Sequence, residues 1–528
     1  MIQTECGIFA TLHKKKVNCQ NVINGLKKLQ HRGRESFGIS FISDIYNTNL
    51  KINEPNNNNE PIKTIKNDGL VKDIDCDKLS YSWLGHVRYS TAGKKIITKK
   101  MNELDNINST HYDLFMKSCQ PLISYSTHLG HYSLTHNGNI PHPIWIKIKD
   151  KYPTFVKELD NNTSDTLLLI ALINHIAKIY YNIAGYDYND NHNCEDNFTL
   201  WSNVLEHIMK EIPGAYCLVI QTQYYFLIVR DKFGIRPLSL CLEYDNYFNN
   251  NIINSISISS ENCAFNKSPS SPSSNSSNVI EWRDVKPGEI ISINLKTLNI
   301  KTLFKMDKIN IKHCVFEYIY FLRDNTIADN TLVKNFRHIL GNKLSQQFTS
   351  SKSLIDKWKQ NNALVCGVPS SGINFGLGFA NSLGLEYSQF LKKRADYPWR
   401  TFILGSNDKR LEACRKKFIV EGDDIKDKII ILIDDSIVRG NTVSYLIKYI
   451  KQFNPSEIHF ISGSPPIKYP CNYGVDFPDI EELIANRIPV EKLSDHYEID
   501  SLTYLDFEKL MDTKNNVCNA CFTGNYMF

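Results

Sequence analysis

The sequence predicts two domains of unlike class, an α+β layered domain followed by an α/β domain with a parallel sheet. Three observations carry this. At 528 residues the chain is too long for one hydrophobic core. Its first half holds short strand-like runs with helical signals grouped between them. Its second half alternates apolar run, loop and helix, the pattern of parallel strands joined by crossovers. The boundary is placed near residues 290–310.

In the first half, residues 6–12, 83–87, 216–220 and 224–229 have strand character, and 21–30 reads as a helix. Ser164 and Asp165 suit a helix start ahead of the apolar run from Leu167. That run, residues 166–185, contains Asn174, His175 and Lys178, and is expected to be a core helix. Residues 56–59, 244–254 and 268–278 are Asn- or Ser-rich and are expected to be inserted loops. In the second half, residues 364–368 lead into Pro369-Ser370-Ser371-Gly372, and 428–433 lead into Asp434-Asp435. A helix is expected from Thr442 to about Phe453, stopped by Asn454-Pro455, and 458–461 is a third apolar run. Ligands of such sheets bind at the carboxyl ends of the strands.

Composition narrows the function. Hydrophobic content of 42% and aromatic content of 11% are globular values. Lys+Arg 61 against Asp+Glu 56 leaves +5, too weak and dispersed a charge to point to nucleic acid. No run of 18 apolar residues is free of charge, so no membrane partner is expected. Met1 to Cys6 has no basic stretch followed by an apolar one, so no signal peptide is expected. Fourteen cysteines without such a signal suggest a reducing compartment, with the cytosol as the expected location.

The most informative string runs from Ile431 to Thr442 and reads ILIDDSIVRGNT. A buried strand delivers two carboxylates to the sheet edge. A loop with a glycine and two hydroxyls then opens a helix, where backbone N–H groups and the helix dipole favour a phosphate. The carboxylates suit magnesium or sugar hydroxyls. Asp-Asp alone would be an ordinary turn with an acidic N-cap. The whole string resembles the phosphoribosylpyrophosphate motif of type I phosphoribosyltransferases. That resemblance implies binding of this substrate by Asp434, Asp435, Ser436, Arg439, Gly440, Asn441 and Thr442, with Mg2+ held by Asp434, Asp435 and Ser371.

Cys6 lies in Glu5-Cys6-Gly7-Ile8-Phe9. Alone it would be a small buried hydrophobe. Four further strings are His31-Arg32-Gly33 after Leu29-Gln30, Gly85-His86-Val87-Arg88-Tyr89-Ser90-Thr91, His136-Asn137-Gly138-Asn139, and Ser164-Asp165-Thr166. In this order they resemble the class II glutamine amidotransferases, whose fold is the αββα N-terminal-nucleophile sandwich. The resemblance implies removal of residues 1–5 as a propeptide and Cys6 as nucleophile. It also implies an oxyanion hole from the Asn137 side chain and the Gly138 N–H, with Arg88 on the glutamine carboxylate and Asp165 on its α-amino group. The chemistry agrees: a thiol with pKa near ~8.5 is mostly protonated at neutral pH, and a freed α-amine with pKa near ~8 can serve as its base.

Cys518-Asn519-Ala520-Cys521 could be a redox pair, half a metal site or chance. With Cys314 and Cys471 it gives four thiols, suited to a [4Fe–4S] cluster or a structural zinc. Residue chemistry does not choose between them. The contexts, together with RDKFGIRP at 230–237 and SENC at 260–263, resemble the cluster-bearing branch of the glutamine phosphoribosylpyrophosphate amidotransferase family. That resemblance implies a [4Fe–4S] cluster with a structural role. It implies a glutaminase domain over 6–300, a phosphoribosyltransferase domain over 301–500 and a cluster-binding segment over 501–528. The implied reaction converts glutamine and phosphoribosylpyrophosphate to phosphoribosylamine, glutamate and pyrophosphate, with ammonia passed internally. Purine nucleotides as feedback inhibitors and a homotetramer are implied too.

The chain departs from the family pattern at three places. Ser370 stands where an acidic residue is usual, and Arg34 where glutamine is usual. The mobile-loop string at 392–402 is two residues longer, with Pro398 stiffening it. A sensor that binds without turnover, or an amidotransferase making amino sugars or asparagine, is the competing expectation. The nucleophile string argues against the first and Asp434-Asp435 against the second.

Overall fold

The computed structural model describes residues 6–43, 60–74, 77–88, 115–153, 164–184, 194–245, 252–265, 280–394, 417–475, 477 and 479–528. The expected propeptide, the inserts at 56–59 and 268–278, Tyr89 to Thr91 and loop residues 395–402 lie outside them. Contacts divide the chain into two compact units. One runs to His313 and also takes Asn472–Val475 and Phe528; the other comprises Cys314–Cys471 and Asp476–Met527.

The first unit is built on two antiparallel sheets. The seven-stranded sheet has the order Ile280–Asp284, Ser239–Asp245, Ile252–Ser259, Gly7–Val17, Ser80–Arg88, Ser36–Ile42, Ile62–Asp68. The six-stranded sheet has the order Ile300–Lys305, Glu289–Asn294, Tyr225–Arg230, Ala215–Thr222, Gly130–Asn139, Leu122–Ser126. Side chains alternate between the faces of a strand, and the sequence uses both. Ile8, Ala10 and Leu12 meet Cys217 and Val219 in the core between the sheets. Phe9 turns outward to Val22 and Leu26 of helix Gln20–Lys28. Leu218 and Ile220 turn the other way, onto helices Asp165–Ile183 and Cys194–Glu211. The layers are therefore helix, sheet, sheet, helix.

Helix Asp165–Ile183 is long and apolar enough to cross a membrane by length and composition. Here Leu169, Leu172, Ile173 and Ile176 are buried against the second sheet, as a core helix requires. Ser164 caps it by accepting the Leu167 N–H. The expected loop at 244–254 needs correction, because Tyr244 pairs with Ile253 and Asp245 with Ile252. Ladder pairing recruits the ends of this Asn-rich stretch into strands.

The second unit holds five parallel strands in the order Glu386–Tyr387, Leu364–Gly367, Ile429–Asp434, Glu457–Ser462, Ser501–Tyr504. Helix Asn441–Ile450 continues as a 3-10 turn over Lys451–Phe453. Asn454, at φ +53°, ends it ahead of Pro455. Helices Val333–Gln346 and Gly372–Leu383 cross closely because neither carries a side chain at the contact. A Cβ on Gly341 would lie 2.1 Å from the Phe375 carbonyl oxygen, and one on Gly378 the same distance from that of His338.

Gly378→Val should therefore force the helices apart and destabilise this unit by about 1–3 kcal/mol, the usual cost of overpacking. Urea titration followed by tryptophan fluorescence checks it. An unshifted midpoint would contradict the close crossing.

Candidate functional site

Cys6, half-buried, immediately precedes strand Gly7–Val17. Its backbone carbonyl accepts the Arg32 Nε–H at 3.0 Å. Arg32 is fully buried, and its Nη1 donates to Glu261 Oε1 at 2.8 Å. His31 Nε2 stands 2.6 Å from that same oxygen, and the Cys263 thiol donates to Oε2 at 3.7 Å. A buried carboxylate thus fixes the guanidinium that fixes the backbone of Cys6. These side chains belong to strings noticed in the sequence, but spacing gave them no role; their shared function is visible only once residues 230 apart meet.

Ser260 links the strand after Cys6 to Asn137. Its Oγ accepts the Ile8 N–H at 3.0 Å and lies 3.4 Å from Asn137 Nδ2. Asn137 and Gly138 lie on strand Gly130–Asn139, where Gly138 pairs with Tyr216. Only glycine fits there: a Cβ would stand 1.9 Å from the Ala215 carbonyl oxygen. Next to them, the buried His136 has Nδ1 3.7 Å from Asp165 Oδ2. Asp165 opens its helix and accepts the Thr166 N–H at 2.8 Å. Arg88 ends strand Ser80–Arg88, with Nη1 donating to Ser118 Oγ at 2.6 Å and its guanidinium over Phe115. Strand pairing places Arg88 opposite Ser36, a few residues beyond Arg32.

In the second unit Asp434 is the last residue of the central strand Ile429–Asp434, and Asp435 follows it. Both are buried. Ser371, at the start of helix Gly372–Leu383, donates to Asp435 Oδ2, and Ser436 donates to Oδ1. Burial pushes both carboxyls upward, and for Asp434 the neighbouring Asp435 adds to the shift. Gly440, at φ +77°, turns the loop into helix Asn441–Ile450, and its carbonyl accepts the Tyr497 hydroxyl at 3.2 Å. Thr442 is the second residue of that helix. Arg439 Nε donates to Glu482 Oε2 at 2.7 Å. The loop between strand and helix therefore leads into a helix N-terminus beside a pair of hard oxygen donors, an arrangement that suits a phosphate.

Burial pushes the Cys521 thiol up, and Cys518, Cys314 and Cys471 push it further. Cys314 lies on a two-residue strand paired with that of Cys518. Cys314, Cys471 and Cys518 are thus within electrostatic reach of Cys521. Among the described residues, however, no three or more His, Cys, Asp or Glu side chains stand ready to hold a metal ion.

A cysteine whose following strand is joined through Ser260 to an asparagine–glycine pair in one unit, and a strand-end carboxylate pair ahead of a helix N-terminus in the other, fit a class II glutamine amidotransferase joined to a phosphoribosyltransferase. No family model matches the sequence. The chain is 30% identical over 575 residues to the amidophosphoribosyltransferase of Rattus norvegicus, covering 99% of this chain and 98% of that one. It is 29% identical over 544 residues to that of Bacillus subtilis, covering 99% and 94%. Among solved structures it resembles the glutamine phosphoribosylpyrophosphate amidotransferase of B. subtilis complexed with ADP and GMP, with TM-score 0.71, 27% identity and coverage of 99% and 97%. The chain belongs to the amidophosphoribosyltransferase family.

The site's burial carries a pH dependence. Burial, and then the Arg88 cation, push His86 from 6.5 down to about 3. The unfolded chain therefore binds more protons than the folded one between those values. The contribution of His86 is complete above pH 6.5 and is lost as pH falls through that window. Buried Asp231, pushed up to about 6 from 3.8, acts in the opposite sense between its two values. The expected outcome is that His86→Gln flattens the fall in urea midpoint between pH 6.5 and about 5 relative to the unsubstituted chain. Equal slopes would contradict the assignment.

Proposed function

We infer that this protein makes 5-phosphoribosylamine from glutamine and phosphoribosylpyrophosphate, releasing glutamate and pyrophosphate, the first committed step of purine biosynthesis. The observation that carries the reading is the Cys6–Arg32–Glu261 arrangement beside Asn137 and Gly138, in a chain related over its whole length to amidophosphoribosyltransferases.

Removal of residues 1–5 frees the Cys6 amine to take the thiol proton. The Cys6 sulfur attacks the glutamine amide carbon. The oxyanion is received by Asn137 Nδ2 and the Gly138 N–H, donors of a kind worth about 3 kcal/mol each. Arg88 holds the substrate carboxylate through its fork, and Asp165 holds the α-amino group. Collapse expels ammonia and leaves a thioester at Cys6, which water hydrolyses to glutamate. The ammonia travels internally to C1 of phosphoribosylpyrophosphate, because in water most of it would be protonated. There it displaces pyrophosphate with inversion.

At the second site Ser436, Arg439, Gly440, Asn441 and Thr442 receive the ribose phosphate at the helix N-terminus. Asp434, Asp435 and Ser371 would hold Mg2+, and the upward shifts of two adjacent buried carboxyls fit a pair in want of a cation. When bound, magnesium neutralises the departing pyrophosphate. Cys314, Cys471, Cys518 and Cys521 would hold a [4Fe–4S] cluster; the reach of the other three to Cys521 and the softness of thiolate donors support this. The relative solved with ADP and GMP supports purine nucleotides as feedback inhibitors. A cytosolic homotetramer completes the proposal.

Cys6→Ala should abolish glutamine-dependent phosphoribosylamine formation while sparing synthesis from added ammonia at high pH. Loss of both activities in a folded variant, or of neither, would overturn the assignment. Aerobically sensitive brown protein, with broad absorption toward the blue that bleaches in oxygen, is expected for the cluster. Colourless protein with stoichiometric zinc would overturn it.

A further inference from the structure

A short stretch far along the sequence packs within the first unit against Gly138, whose N–H is the proposed oxyanion donor. Asn472–Val475 belongs to that unit, although the residues on either side of it belong to the other. Three contacts hold it. Asn139 Nδ2 donates to the Asn472 carbonyl at 2.9 Å. Arg236, fully buried, donates through Nη2 to the Tyr473 carbonyl at 2.5 Å. Tyr473, also buried, has its ring 4.9 Å from that of Phe528, which stacks on Phe233 at 5.5 Å. Gly474, at φ +105°, passes so close that a Cβ would stand 2.9 Å from Arg236 Nη2, 3.2 Å from the Gly138 carbonyl carbon and 3.3 Å from Asn139 Cβ.

We propose that Asn472, Tyr473 and Gly474 form a positioning strap that sets the Gly138 N–H for the oxyanion, with Arg236 and Asn139 as its anchors. The proposal rests on the glutaminase reading of Cys6, Asn137 and Gly138. Gly138 is confined on one side by its strand partner, since Ala215 leaves no room for a side chain. The strap lies against the carbonyl end of Gly138, where Gly474 comes close to the Gly138 carbonyl carbon and to Asn139 Cβ. Backbone donors act well only when aimed at the developing charge, and a displacement near 1 Å can cost about a hundredfold. The strap's contacts with Asn139, Arg236, Gly138 and Phe528 all lie within the first unit, so its loosening should act on glutamine chemistry. These are positioning residues; none touches the reacting atoms.

The test uses the full chain with Gly474→Ala and, separately, Asn139→Ala. The first adds a Cβ against Arg236 and Gly138 in a strained backbone conformation. The second removes one anchor without adding bulk. Three readings are taken for each variant: glutaminase kcat and KM, synthesis from ammonia, and alkylation of the Cys6 thiol by a reactive glutamine analogue. The expected result is a fall in glutaminase kcat of tenfold to about a hundredfold with KM for glutamine changed far less. Ammonia-dependent synthesis should be retained, and alkylation should continue because it needs no oxyanion. If Gly474→Ala does not fold, Asn139→Ala decides alone. Unchanged kcat in the folded variants would overturn the proposal, as would equal loss of both syntheses. Absence of glutaminase in the unsubstituted chain would instead overturn the reading beneath it.

Discussion

One buried carboxylate organises the glutamine side of this molecule. Glu261 has no exposed surface, and an uncompensated charge there would be strongly destabilising. It is stabilised by Arg32, with His31 beside the same oxygen and the Cys263 thiol on the other. Because the Arg32 Nε–H goes to the Cys6 carbonyl, the compensation of one charge and the placement of the Cys6 backbone are a single arrangement. The pair therefore serves specificity of geometry more than stability. A hydrophobic replacement of similar volume could keep the fold and would lose the placement.

The second unit solves the converse problem. There two carboxylates are buried side by side, with hydroxyls from Ser371 and Ser436 donating to Asp435 only. The upward shift of Asp434 follows from burial and from Asp435 itself, with Lys417 opposing it. In the first site a guanidinium is bonded directly to the buried carboxylate, whereas in the second the carboxylate pair accepts from hydroxyls and one backbone N–H.

The sequence made much of this legible. Strand Ile429–Asp434 lies within a residue of the apolar run that predicted it, because a buried parallel strand must be continuously apolar, and helix Asn441–Ile450 reaches the expected end at Phe453 only through its 3-10 continuation. Ser164 and Asp165 marked a helix start correctly, since capping is local chemistry. The two short or late strands, Glu386–Tyr387 and Ser501–Tyr504, escaped notice because they are too brief or too polar to show a period. The roles of Arg32, Ser260 and Glu261 were hidden for a different reason. A hydrogen bond between residues 229 apart leaves no trace in spacing. Asn472–Val475 was likewise invisible, since a segment lodged in the unit before its own has no local signature.

Some of the tightest points in the molecule are vacancies where a methyl group would have to be. Gly138 and Gly378 are set by the absence of a carbon atom, one against Ala215 and one against His338. Such positions tolerate no conservative exchange, because there is no smaller side chain to try. Libraries randomised at these two glycines would therefore be depleted of every other residue type, at Gly138 through the strand pairing and at Gly378 through the helix crossing.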